Sequence, residues 1–147
     1  MDIRPQGKIV MTCGGFDPLH DGHIELIQKA KKLGDYLIVV LNSDDWLRRK
    51  KGKNFMSVSQ RKKILEELRS VDEVHVLDYH DGVDVAPAIL KLRPHIFAKG
   101  GDRSYATLPE AEIAACKEVG CEMVFGVGDK IASSSELLKK WSENENK

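Results

Sequence analysis

The stretch Lys8-Ile9-Val10-Met11-Thr12-Cys13-Gly14-Gly15-Phe16-Asp17-Pro18-Leu19-His20-Asp21-Gly22-His23 decides how this chain folds. Its first part is a short apolar run, Ile9, Val10 and Met11, which reads as a strand and stops at a glycine pair. Its last part opens a helix, because Ile24, Ile27, Ala30 and then Leu33 mostly keep helical spacing and Gly34 ends the run. Residues 36–41, Tyr-Leu-Ile-Val-Val-Leu, follow as a continuous apolar run typical of a strand covered on both faces. The pattern of strand, glycine turn, helix and covered strand predicts parallel pairing.

The same alternation continues outward. Residues 74–77, 95–98 and 123–127 read as three more strands. Ser57 precedes Gln60 by three residues, a capping box ahead of a helix bearing Ile64, Leu65 and Leu68. Residues 85–92 read as a helix with Pro87 in its first turn, and residues 109–119 as another. Ser133 with Glu136 forms a second capping box, opening a last helix through Leu137, Leu138 and Trp141. Residues 48–53 read as a basic loop. Short connections between alternating elements predict a three-layer, Rossmann-like α/β fold with a five-stranded parallel sheet. Ligands of such sheets sit at the carboxyl ends of the strands, near the point where strand order reverses. Residues 1–141 form one domain in this reading, and 142–147 a polar, frayed tail.

Composition narrows the function. The 147 residues suit a single core without disulfide staples. Lys plus Arg and Asp plus Glu each number 23, so the formal charge is zero, which argues against coating nucleic acid or an anionic membrane. The amino-terminal residues 1–8 are polar and carry no secretory pattern, and no run approaches the roughly 18 apolar residues of a membrane span. Three cysteines, Cys13, Cys116 and Cys121, lack metal-ligand spacing and read as reduced thiols of a cytoplasmic protein.

The loop after the first strand carries the chemistry. Gly14 and Gly15 allow tight turning and close backbone approach. His20 and His23 stand three apart, so on a first helical turn they share a face, with Gly22 between them. The following helix aims its amino terminus, with unsatisfied N–H groups and partial positive charge, at the same place. Together these features describe a phosphate site.

In order, Gly14, Phe16, Asp17, His20, Gly22 and His23 match the signature of the HxGH nucleotidyltransferase superfamily, and the chain resembles that family from about residue 8 to 141. Within it the chain looks similar to heptose 1-phosphate adenylyltransferases and glycerol 3-phosphate cytidylyltransferases. The resemblance implies that a lysine of the basic loop reaches a triphosphate, Lys51 first and Lys53 second, and that Arg61 at the head of the next helix assists. Asp17 either orients the loop through backbone N–H groups or lies near magnesium. Lys99-Gly100-Gly101-Asp102 resembles a segment of the heptose-phosphate enzymes, with Asp102 at a ribose hydroxyl or supporting the loop. Ile131-Ala132-Ser133-Ser134-Ser135 resembles the family's hydroxyl-rich segment, suited to phosphate contact at a helix start.

The implied reaction is in-line attack by an acceptor phosphate oxygen on an α-phosphorus, with pyrophosphate leaving. His20, His23, Lys51 and Arg61 carry the catalytic roles. Gly14, Gly15, Phe16, Asp17, Gly22, Lys53, Gly100, Gly101, Asp102, Ser133, Ser134 and Ser135 bind nucleotide. Magnesium arrives mainly on the triphosphate. ATP is favoured and a sugar 1-phosphate leads as acceptor. CTP with glycerol 3-phosphate stands as the alternative, although Val127-Gly128-Asp129-Lys130 replaces the Arg-Thr-Glu-Gly stretch usual in that group. A non-catalytic nucleotide sensor is the competing class, and a homodimer is implied by the resemblance.

Overall fold

Alternation along the first strand serves two cores at once. In β1 (Ile9–Gly14), Ile9 and Met11 face one apolar cluster while Val10 faces the other. The computed structural model describes residues 7–77, 84–100, 108–128 and 134–145. Along the chain β1 is followed by α1 (Asp21–Lys31), β2 (Tyr36–Leu41), α2 (Asp44–Lys51), α3 (Val58–Glu66) and β3 (Glu73–Val76). The second half holds α4 (Ala86–Leu92), β4 (Ile96–Ala98), α5 (Glu110–Val119), β5 (Glu122–Val124) and α6 (Ser134–Glu145).

The strands form one parallel sheet in the order β3-β2-β1-β4-β5. One cluster joins Ile9, Met11, Ile38 and Val40 to Ile89 and Leu92 of α4 and Ala115 and Cys116 of α5. The other joins Val10, Leu37 and Val39 to Ile27 and Ala30 of α1 and Leu65 of α3. Helices therefore cover both faces, as the uninterrupted apolar run of β2 predicts. Each fully buried Leu or Ile contributes about 1.5–3 kcal/mol. Gly34 is where α1 returns to the sheet: a Cβ there would meet Lys8 O at 2.8 Å and Val10 Cγ2 at 2.7 Å.

Strand order reverses between β1 and β4, and the two strands part there. β1 pairs with β2 through Gly14↔Leu41, but with β4 only at Val10↔Ile96 and Met11↔Phe97. Thr12 Oγ1 donates to Ala98 O at 3.1 Å where the ladder opens. This divergence lies at the carboxyl end of the sheet, beside the glycine–histidine loop, where ligands of such sheets generally sit.

Three expectations need correction. The basic segment is largely helix: α2 runs through Lys51, with Ser43 Oγ accepting from Trp46 N at 3.1 Å, Asp44 and Asp45 in the first turn, and Gly52 at φ +83° as cap. Those capping groups outweigh its scarcity of apolar residues. β5 stops at Val124 because Gly126 takes φ +68°, although Val127 N still donates to Lys99 O at 3.0 Å. α6 continues past Trp141 to Glu145, since no Gly or Pro interrupts the polar residues after it.

Candidate active site

The loop between β1 and α1 is held in a shape its own sequence would not choose. Phe16 is buried at φ +51°, a left-handed conformation costing a non-glycine residue roughly 1–3 kcal/mol. Its ring meets His23 edge-on, centroids 4.8 Å apart. Asp17, joined to Pro18 by a cis bond, is buried, and its carboxylate accepts from Phe55 N at 2.6 Å and Met56 N at 2.7 Å. These bonds tie the loop to the segment that follows α2.

Arg61 fixes the other side. It is 1% exposed and comes from the first turns of α3, which Ser57 and Gln60 cap reciprocally, as their spacing predicts. Its Nη1 donates to Gly15 O (2.9 Å) and Asn42 O (2.7 Å), its Nε to Met56 O (3.1 Å), and its Nη2 to Asp44 Oδ1 (2.8 Å). The guanidinium thus sits beneath the loop and joins the ends of β1 and β2 to the start of α2. Asn54 extends the network: its side chain donates to Asp44 Oδ1 and Met56 O and accepts from Arg48 Nε. Sequence reasoning missed Asp44 and Asn54, although the Ser43-Asp44-Asp45 cap was a readable signal.

The histidines are the helix cap itself. His20 is the N-cap of α1, extended at φ −142°, and its Nδ1 accepts from Gly22 N at 3.1 Å. His23 Nδ1 accepts from His20 N at 3.2 Å, closing a reciprocal capping box. The rings stack with centroids 3.8 Å apart and planes 22° from parallel. Since each Nδ1 accepts a backbone N–H, the neutral rings carry their protons on Nε2, away from the helix end. The cap of α1 thereby sets the tautomer of both rings. Both rings are half-buried, neither apart nor lost in the apolar interior.

Other expected residues divide by place. Gly14 and Gly15 line the loop; a Cβ on Gly15 would meet Leu47 Cδ2 at 2.8 Å. Gly22 lies in the first turn of α1. Lys51 ends α2, its side chain lying outside the described atoms, and Lys53 is exposed just beyond Gly52. Gly100 packs closely, its Cβ position 3.1 Å from Leu26 Cδ1 and from Val127 O. Gly101, Asp102 and Ser133 lie outside the described residues, as do the side chains of Ser134 and Ser135 at the start of α6. Lys99, the first residue after β4, is buried with Nζ 3.2 Å from Glu112 Oε1 and 4.4 Å from the centre of the Phe97 ring. Sequence reasoning did not single out Glu112, and nothing in its local pattern announces that partner.

A glycine loop, a capped helix start and paired imidazoles stand together where strand order reverses in a parallel α/β sheet. The chain matches the Cytidylyltransferase-like family over residues 11–138 and belongs to it. It is 39% identical over 145 residues to the bifunctional protein HldE of Streptomyces coelicolor, an alignment covering 96% of this chain and 30% of that one. The chain thus spans about a third of that relative's length. It is 51% identical over 67 residues to the glycerol-3-phosphate cytidylyltransferase of Bacillus subtilis, covering 46% of this chain and 52% of that one. Among solved structures it superposes on the lipopolysaccharide core biosynthesis protein of Thermoplasma volcanium with a TM-score of 0.71 and 28% identity, covering 84% of this chain and 98% of that one. No helix among the described residues is long and apolar enough to cross a membrane.

Proposed function

We propose that the chain is a nucleotidyltransferase that moves a nucleoside monophosphate from a nucleoside triphosphate to a phosphorylated small molecule and releases pyrophosphate. The observation that carries this reading is the stacked His20–His23 pair, whose Nδ1 atoms are both engaged by the helix cap. The acceptor phosphate is already ionised, so no protein nucleophile is required. The chain's task is positioning and charge stabilisation along an in-line path. In this reading the two Nε2–H groups donate to α- and β-phosphate oxygens, where charge grows as the bond breaks. Lys51 and Lys53, carried by the segment anchored on Asp17, neutralise the departing pyrophosphate. Arg61 acts through the carbonyls of Gly15 and Asn42 as a positioning residue.

Magnesium fits this site as a passenger of the triphosphate. Both Asp17 oxygens already accept backbone N–H groups, so a cation would be held mainly by the oxygens of the triphosphate. Bound with the triphosphate, magnesium would supply screening of the phosphate charge.

The match to HldE over nearly the whole chain supports ATP and a sugar 1-phosphate such as heptose 1-phosphate. The 51% identity to the Bacillus enzyme supports CTP with glycerol 3-phosphate as the second reading. In both, we take the working form to be a homodimer in the cytoplasm. Pyrophosphate release across the four nucleoside triphosphates and a panel of acceptor phosphates tests the proposal. Turnover with one acceptor-dependent pair is expected, and nucleotide binding without pyrophosphate release throughout the panel would favour a sensor.

A further inference from the structure

A buried ion pair stands at the carboxyl end of the sheet, on the face away from α1. Lys99 is 8% exposed and Glu112 5%. The β1–β4 ladder ends at Met11↔Phe97, and two residues further along each strand come Cys13 and Lys99. Steps of two keep side chains on one face, here the face covered by α4 and α5. The Lys99 ammonium therefore stands where the strands have parted, 4.0 Å from Cys13 Sγ and 4.4 Å from the centre of the Phe97 ring. Glu112, the third residue of α5, holds it there. Its Oε1 lies 3.2 Å from Lys99 Nζ, and its Oε2 accepts from Val85 N at 3.5 Å, just ahead of α4. One carboxylate thus joins the exit of β4 to the starts of α4 and α5.

The backbone at Lys99 carries this restraint through the sheet to α1. Lys99 N donates to Val124 O at 2.8 Å, and Lys99 O accepts from Val127 N at 3.0 Å. Gly100, the next residue, abuts α1: a Cβ there would lie 3.1 Å from both Leu26 Cδ1 and Val127 O. Gly128 is as tight, with Leu26 N and Cα each 3.2 Å from its Cβ position. Leu26 lies about one helical turn beyond His23, so the exits of β4 and β5 seat the histidine end of α1.

A buried ion pair is a poor source of stability, because desolvating both charges offsets their attraction, and an apolar pair of like volume often serves as well. What Lys99 and Glu112 add is direction: their hydrogen bonds fix where the strand exit sits against α1. On the nucleotidyltransferase reading, we propose that Glu112 is a positioning residue for the transfer. It acts through Lys99 to hold the β4 exit, and with it the His20–His23 end of α1, where the two imidazoles meet the triphosphate.

The test is the full chain carrying Lys99→Met and Glu112→Leu together, which replaces the pair by apolar side chains. Its melting temperature should match or exceed that of the unaltered chain. Its kcat for pyrophosphate release should fall about 10–10²-fold, with KM for triphosphate and acceptor changed by less than about threefold. Glu112→Gln keeps the shape and one oxygen for Lys99; it should show the same split with a smaller loss, and it stands in if the double variant does not fold. Imidazole nitrogen NMR reads the placement without turnover. The ring signals of His20 and His23 should shift in the double variant, while those of His95, just before β4, stay. Shifted rings in a chain that releases no pyrophosphate with any substrate pair would uphold the link from Glu112 to α1 and sink the nucleotidyltransferase reading instead. Unshifted rings, or full kcat in a folded double variant, would overturn the proposal. So would a large rise in KM for the acceptor at unchanged kcat, which would make Lys99 a substrate contact.

Discussion

Replacing Arg61 by alanine separates a guanidinium that shapes the site from one that touches substrate. Arg61 donates to Gly15 O, Asn42 O, Met56 O and Asp44 Oδ1, and its side chain is fully buried. Removing one partner of a buried charged network costs about 3–5 kcal/mol. Asp44 retains 22% side-chain exposure and rehydrates, which draws the loss toward the lower end, while the stranded carbonyls draw it upward. Against a total stability of about 5–15 kcal/mol, the loss is a large fraction. Urea unfolding followed by circular dichroism should show it, with a fall in melting temperature of roughly 6–20 °C. Arg61→Lys keeps the charge but lacks the planar fork, and should recover about half or less of the loss. Turnover should fall in both variants, in proportion to how far the Gly15 carbonyl is released. A destabilisation under about 1 kcal/mol, combined with a selective loss of pyrophosphate release, would refute the structural role and make Arg61 a substrate contact.

Further substitutions divide the remaining roles. His20→Asn keeps an oxygen able to accept from Gly22 N, so stability should stay within about 0.5 kcal/mol while turnover drops at least tenfold, measured by melting and pyrophosphate release. Asp17→Asn replaces a charged acceptor of two N–H groups by an amide, and should cost about 1.5–3 kcal/mol and raise KM for the triphosphate more than it lowers kcat. Gly34→Ala drives a Cβ into Lys8 O and Val10, and should cost about 1–3 kcal/mol by urea denaturation without altering KM.

How much of this was readable in the chain depends on how far each interaction reaches. β2 was readable because every position of Tyr36–Leu41 lies between two covered faces, so its apolar run is unbroken. The capping box at Ser57 and Gln60 was readable because it is local. α2 was read as a loop because Leu47 alone in it is buried among the described side chains; the helix rests on its caps, which periodicity does not weigh. Arg61 carried a phosphate role in the resemblance, whereas its acceptors come from three separate segments and are visible only after the sheet forms. The same holds for Lys99 with Glu112, thirteen residues apart and joined across a strand end and a helix start. The histidine spacing was legible as two imidazoles sharing one face of a helix start, but not the tautomers, which follow from the two backbone N–H groups that the rings accept.

The central claim is that two imidazoles, turned outward by the cap of α1, hold the triphosphate while it is cleaved. Pyrophosphate release by His23→Ala, measured at saturating substrates beside its melting temperature, tests it most directly. The account predicts a fall in turnover of about 10²–10³ in a variant that remains folded. Turnover near that of the unaltered chain would contradict it.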